Sequence, residues 1–474
     1  MTYLAPASAD FEATARAILP PDTFAEVGAQ YLEEPRGRYA GSAGLLAKPR
    51  TTEEVSKLVK LAHDHGVAVI PYGGGTGLVG GQVAEDGPAP LILSLERMTA
   101  LRAVYPSENA MVVEAGMILA DVQSNAAAYD RIFPLSLASE GSARIGGVLS
   151  TNAGGVNVLR YGNARDLCLG LEVVLADGTI WNGLTRLRKN NTGYDLRHLM
   201  IGAEGTLGII TAAALKLHPV PASEGTAFMT VKNPKAALDL LALAQSHMGG
   251  GVSAFEIIHR QSFDFLTETL PDIRHPFAQT PEWCVLTEVG LPAGMAPDGA
   301  LEGLFRQAVD AGLADDGVIA SSLAQRQAFW SVREHIPEAN RRIGSVSSHD
   351  ISVPLSAIPE FIERANAAIA SLGDFRINCF GHVGDGNLHY NVFPVPGKTR
   401  ADHMQDRDMI KKTVHDLVHD MGGSVSAEHG IGRLKVDDME RYSDPAKLAM
   451  MRSIKDALDP KGILNPGAVI RPLR

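Results

Sequence analysis

From Gly73 to Gly81 the chain reads Gly-Gly-Gly-Thr-Gly-Leu-Val-Gly-Gly, just after the apolar run Val67-Ala68-Val69-Ile70 and Pro71. Gly75-Thr76-Gly77-Leu78-Val79-Gly80 matches the GxGxxG spacing of a dinucleotide-binding turn, and Glu96 follows at a suitable distance. That fingerprint requires a crossover helix after the glycines. Residues 81–90 (GQVAEDGPAP) are too short and too broken by Gly and Pro to supply one. No Gly-Lys-Ser/Thr follows, so a phosphate-binding Walker loop is excluded as well. Two readings remain for the glycines. Their backbone N–H groups curl around an anion, or they form a flexible surface loop.

The rest of the chain narrows the choice. Glycines cluster again at 141–163, at 193–208 and, beside histidines, at 381–386. Residues 51–66 read as a helix, with Thr51 or Thr52 as cap and Val55, Leu58, Val59 and Ala62 on one apolar face. Gly66 ends it. Strands are expected at 67–70, 90–95, 110–114 and 208–217, and a hairpin joins 171–175 to 179–181 through Asp177-Gly178. His218–Ser223 reads as a linker. Beyond it, 235–247, 299–313 and 356–371 look helical and 283–289 looks extended. The length of 474 residues suits two or more domains. Lys+Arg at 43 against Asp+Glu at 54 gives a net −11, which disfavours nucleic acid as a partner. No apolar run reaches the ~18 residues of a membrane span, and MTYLAPASAD lacks the pattern of a signal peptide. Cys168, Cys284 and Cys379 are widely spaced, so a reducing, cytoplasmic setting is expected, with peripheral membrane association as an option.

Cys379-Phe380-Gly381-His382-Val383-Gly384-Asp385-Gly386-Asn387-Leu388-His389 is the most informative segment. Its glycines make a helix costly. A straight strand would put His382 and His389 on opposite faces. A hairpin with Asp385-Gly386 as a two-residue turn would set them directly across from each other, Cβ atoms roughly 5 Å apart. The pair then either clamps a metal ion or merely satisfies hydrogen bonds. As third ligand the best candidate is Glu428, in Ser426-Ala427-Glu428-His429-Gly430. Two imidazoles and a carboxylate suit a catalytic divalent ion, Zn²⁺ first, with Mn²⁺ or Fe²⁺ as alternatives.

Together PYGGGTGLVGG, IGGVLSTNAGGVNVLRYG and IGAEGTLGIIT resemble the FAD-binding domain of the vanillyl-alcohol oxidase/p-cresol methylhydroxylase superfamily. The downstream motifs GHVGDGNLH and SAEHGIG resemble its branch of D-lactate dehydrogenases, glycolate oxidase flavin subunits and D-2-hydroxyglutarate dehydrogenases. The resemblance implies an α+β fold: an FAD-binding domain over 1–218, a substrate cap over 219–425, and a segment 426–474 that returns to the FAD domain. It implies FAD contacts from Pro71, Gly73, Gly74, Gly75, Thr76, Gly77, Pro134, Ser136, Gly141, Gly146, Gly147, Thr151, Asn152, Gly154, Gly155, Gly205, Ile210 and Asn465. The first loop holds no histidine, so the FAD is expected to be non-covalent. The resemblance also implies His382, His389 and Glu428 as metal ligands, His429 as catalytic base, and Asn391 and Arg333 as substrate contacts. An ordinary imidazole pKa of ~6.5 suits a base near neutrality. Arg333 reads equally well, on its own, as a helix-surface ion pair.

The implied reaction is oxidation of a D-2-hydroxyacid to the 2-oxoacid, with hydride passing to flavin. A quinone, cytochrome or electron-transfer flavoprotein would reoxidise it, and a homodimer is an option. Relatives acting on longer diacids often carry a lysine just before His-Asp, where this chain has Ser348 before His349-Asp350. That weakens the case for 2-hydroxyglutarate unless Arg341 or Arg342 substitutes, and leaves D-lactate or D-malate as plausible. The alternatives are a non-catalytic FAD-binding electron-transfer subunit, or a sugar-lactone or aromatic-alcohol oxidase on the same fold.

Overall fold

The computed structural model describes residues 4–471. Two compact units emerge. One lies within Met1–Gly154, Gly162–Val220 and Glu428–Arg474, the other within Gly155–Tyr161 and Pro221–Ala427.

In the first unit the expected helix spans Thr52–His65. The Thr51 hydroxyl accepts the Glu54 N–H, and Gly66 closes the far end in a left-handed conformation. Its apolar face is wholly buried at Val55, Leu58, Val59 and Ala62. Burial of such side chains contributes about 1.5–3 kcal/mol for each large one. The helix leads into a small sheet in the order Phe24–Ala25, Leu45–Ala47, Leu91–Ser94, Val69–Tyr72, whose last three strands run parallel. No helix lies between Tyr72 and Leu91, so the glycine stretch is a loop. A second sheet is antiparallel, ordered Leu101–Tyr105, Ala110–Glu114, Ile209–Lys216, Cys168–Val174, Ile180–Gly183. The C-terminal segment rejoins this unit beside the first sheet. The Val69 N–H donates to the Ile463 carbonyl (2.8 Å) and the Asn465 N–H to the Val69 carbonyl (2.9 Å).

The second unit is a seven-stranded antiparallel sheet with helices. Its order is Gly317–Ile319, Ser223–Val231, Trp283–Leu291, Val252–His259, Phe375–Gly381, Asn387–Pro394, Ser347–Ser352. The long helix Leu323–Ile343 packs Phe329, Val332 and Ile336 against Phe228, Phe265, Phe380 and Phe393. The Phe375–Gly381 and Asn387–Pro394 strands form the histidine hairpin near one edge. Among the described residues no helix is long and apolar enough to cross a membrane.

Candidate active site

The glycine loops of the first unit line a cavity of about 530 Å³, within the ordinary range of ligand sites. Pro71, Gly73, Gly74, Gly75, Thr76, Gly77, Gly146, Gly147, Thr151, Gly154, Gly205, Ile210 and Asn465 line it, and so do Glu428 and His429. The N–H groups of Gly73 through Gly77 make no hydrogen bond to the described residues. A run of free N–H groups in a tight loop is a site for anionic phosphate oxygens. The loop is closed by contact rather than by a side chain: a Cβ on Gly74 would lie 2.1 Å from the Ser142 carbonyl oxygen. These features fit the pyrophosphate of a dinucleotide.

Pro134, Ser136, Gly141, Asn152 and Gly155, expected at the cofactor, do not line this cavity. The Ser136 hydroxyl is 3.5 Å from the Glu140 carboxylate. Asn152 turns the chain at φ 51° and accepts the Arg165 N–H through Oδ1. Gly155 belongs to the second unit. Leu137, Ala138 and Ser139 are cavity residues instead.

The loop bearing Glu428 and His429 is anchored by a residue that the sequence patterns do not single out. Glu204 is 8% exposed and sits at φ 50°. Its Oε1 accepts the Ile431 N–H (2.7 Å) and its Oε2 the Gly432 N–H (2.8 Å). Burial pushes its carboxyl pKa up, opposed by those two N–H donors. Gly430 is required here: φ is +81°, and a Cβ would lie 2.7 Å from Glu204 Oε1. Asn465 Nδ2 donates to the carbonyls of Gly81 (2.9 Å) and Glu204 (2.8 Å), while Asn465 Oδ1 accepts from Arg433 Nη2 (3.0 Å). Arg433 Nη1 donates to the Gly80 and Gly81 carbonyls. Burial lowers its guanidinium pKa to about 10. Glycine loop, base loop and C-terminal tail are thus tied together. Asn465 is mainly a brace for these loops. The signal for Glu204 was available: a charged residue between glycines in Gly202-Ala203-Glu204-Gly205. Within the loop, His429 Nε2 is 3.6 Å from Glu428 Oε1.

In the second unit the hairpin departs from the expected two-residue turn. Phe380 pairs with His389, and Val383–Asp385 forms a short 3-10 turn ended by Gly386 at φ 88°. His382 is therefore in the connection rather than opposite His389. The longer turn still folds it back, with ring centroids 5.6 Å apart and planes at 77°. The reason is on the neighbouring strand. Glu256, wholly buried, takes His382 Nδ1 at 2.5 Å through Oε1 and Arg333 Nε at 2.6 Å through Oε2. Burial pushes the Glu256 carboxyl up, but the charges of Arg333 and His382 outweigh it and hold the pKa at about 2. An ionised carboxylate only accepts, so the proton between them sits on His382 Nδ1. With Nδ1 committed to Glu256, Nε2 is the nitrogen that His382, when neutral, would offer beside a second imidazole to a borderline divalent cation.

Arg333 is not a surface pair. It is 6% exposed, and its guanidinium lies 4.8 Å from the Phe380 ring centroid. Asn391 is buried, pairs across the sheet with Ser348 and Asn378, and donates to the His389 carbonyl (3.3 Å). Ser348 is exposed, its hydroxyl 2.6 Å from that of Ser345. Arg341 and Arg342 both bind the Glu338 carboxylate. The second unit passes into the first between Ala427 and Glu428.

Residues 220–469 match the model of FAD linked oxidases, C-terminal domain, and residues 43–183 match that of an FAD binding domain. The chain belongs to the FAD-linked oxidase family. It is an FAD-dependent dehydrogenase. It is 37% identical over 427 residues to the D-2-hydroxyglutarate dehydrogenase, mitochondrial, of Bos taurus, covering 90% of this chain and 76% of that one. A D-2-hydroxyglutarate dehydrogenase of Xanthomonas citri pv. viticola is 36% identical over 423 residues, covering 89% and 88%. Among solved structures, p-cresol methylhydroxylase with substrate bound superposes at a TM-score of 0.74 over 98% of both chains, at 17% identity. That likeness places the fold with the vanillyl-alcohol oxidase-like flavoproteins.

Proposed function

We propose that this enzyme oxidises a D-2-hydroxyacid of the D-lactate, D-malate or D-2-hydroxyglutarate class to its 2-oxoacid, with non-covalent FAD and a divalent metal held by His382, His389 and Glu428. The observation that carries the reading is that the glycine loops and Glu428-His429 line one cavity. FAD, when bound, supplies the hydride acceptor. The metal would supply Lewis acidity toward the hydroxyacid oxygens. The chain's own residues do the rest. His429 takes the hydroxyl proton. Arg333 and Asn391 orient the substrate, the arginine through its carboxylate. For Glu428 as third ligand, the support is local: the Ala427 N–H donates to the Asp350 carbonyl (3.3 Å), and Asp350 pairs across the sheet with His389. The peptide leading into Glu428 therefore starts beside the second histidine.

The relatives' names favour 2-hydroxyglutarate. Ser348 in place of a lysine, with Arg341 and Arg342 committed to Glu338, favours shorter acids as comparable or better substrates. The reading includes a quinone, cytochrome or electron-transfer flavoprotein as acceptor. It also includes a reducing, cytoplasmic compartment, supported by three free, buried cysteines. The test is anaerobic mixing of the yellow protein with a panel of D- and L-2-hydroxyacids. Bleaching of the flavin by D-acids alone is expected. Indifference to the whole panel, with zinc restored, would leave only an electron-transferring flavoprotein.

A further inference from the structure

A fully buried carboxylate needs a reason, and Glu256 has two. It lies in the Val252–His259 strand, where its neighbours Phe255, Ile257 and Ile258 are buried and apolar. Desolvation strongly disfavours an isolated charge in such a place unless partners compensate. The compensation comes from two groups already given separate tasks. Arg333 Nε and His382 Nδ1 reach opposite oxygens of the one carboxylate, at 2.6 and 2.5 Å. Arg333 makes no hydrogen bond to the described residues through its two terminal nitrogens, while Phe380 covers its guanidinium face. Those terminal donors are the pair that fits a carboxylate side by side.

We propose that Glu256 is a positioning residue that couples the metal site to the carboxylate-binding arginine. One oxygen fixes the His382 tautomer so that Nε2 is the ligand nitrogen. The other holds Arg333 by Nε and leaves both terminal nitrogens for substrate. The inference rests on the roles given above to His382 and Arg333. It goes beyond them in making the two interdependent: a change at Glu256 must disturb both, whereas a change at Arg333 alone disturbs only one. A purely structural carboxylate would disturb neither in preference to FAD binding or folding.

The experiment has three parts, all on the FAD-loaded full chain. First, zinc affinity is measured by competition with a chelating dye for wild type, Glu256→Gln, Glu256→Asp and Arg333→Lys. Loss of an outer-shell partner typically weakens metal binding by about 10- to 100-fold. A loss of that size is expected for both Glu256 variants, with FAD content unchanged, and none for Arg333→Lys. Second, KM for the best D-2-hydroxyacid is expected to rise at least about tenfold in Arg333→Lys and in zinc-saturated Glu256→Gln, with kcat changed less, since orientation of bound carboxylate is what is lost. Third, nitrogen NMR of ¹⁵N-histidine-labelled wild type, stripped of metal, reads the tautomer without any variant having to fold. His382 protonated at Nδ1 is expected. Protonation at Nε2, or Glu256 variants that bind zinc and substrate like wild type, would overturn the coupling while leaving the metal site standing. Wild type that fails to retain zinc in the first measurement would overturn the metal site and the coupling with it.

Discussion

Replacing Glu204 by glutamine changes one oxygen into an NH₂ group and almost nothing in volume. Both oxygens of Glu204 accept backbone N–H groups of the base-bearing loop, from Ile431 and Gly432. Glutamine can accept only one of them and turns a donor toward the other. A hydrogen bond to an ionised group contributes about 1.5–3 kcal/mol, and a buried donor left unmatched costs about 1–3 kcal/mol. Part of that is recovered as the loop shifts. Taking about 1.4 to 2.7 kcal/mol as the loss in placing His429 gives flavin reduction about 10- to 100-fold slower. The assay is stopped-flow reduction of FAD-loaded protein under anaerobic conditions, with FAD content measured in the same samples. Glu204 lines the cofactor cavity, but both of its oxygens are taken by the base loop, so FAD retention should fall far less than the rate. A Glu204→Gln variant that reduces at the wild-type rate would show that the two hydrogen bonds do not set the base's position. One that loses FAD entirely would make Glu204 a cofactor residue instead.

Two further outcomes follow from packing and burial. Gly74→Ala pushes a methyl group to 2.1 Å from a backbone oxygen that has no side-chain freedom to yield; the purified variant should be colourless by visible flavin absorbance, and a fully yellow preparation would contradict the placement of this loop against the cofactor. Burial raises the thiols of Cys168 and Cys379 to about 12 and that of Cys284 further still; a thiolate fraction on the order of 10⁻⁴ at pH 8 means iodoacetamide should label none of them until the protein is unfolded, as read by mass spectrometry.

Local signals placed the regular elements well. The helix at Thr52–His65 announced itself through a capping threonine, a four-residue apolar face and a terminal glycine, and the Asp177-Gly178 turn fixed a hairpin that forms as expected, with Val174 opposite Ile180. The absence of a crossover helix after the GxGxxG match was likewise legible, because Pro and Gly forbid one there. The histidine hairpin shows where such reasoning stops. Turn type was inferred from Asp385-Gly386 alone, but Glu256, 126 residues away, draws His382 out of the ladder and lengthens the connection. Glu204 escaped for the same reason: its partners Ile431 and Gly432 lie more than 200 residues downstream. A charge inside an apolar strand, as at Glu256, or a non-glycine residue in a glycine turn, as at Glu204, is the visible trace of a long-range partner; its identity is not.

The central claim is that His429 removes the hydroxyl proton of a D-2-hydroxyacid as FAD is reduced. The most direct measurement is rapid anaerobic mixing of His429→Ala, loaded with FAD and zinc, with the D-acid that bleaches wild type fastest. General-base catalysis typically contributes about 10²- to 10⁴-fold, so the variant's flavin should stay yellow over many wild-type half-times while its spectrum and FAD content match wild type. Bleaching at the wild-type rate would contradict the account.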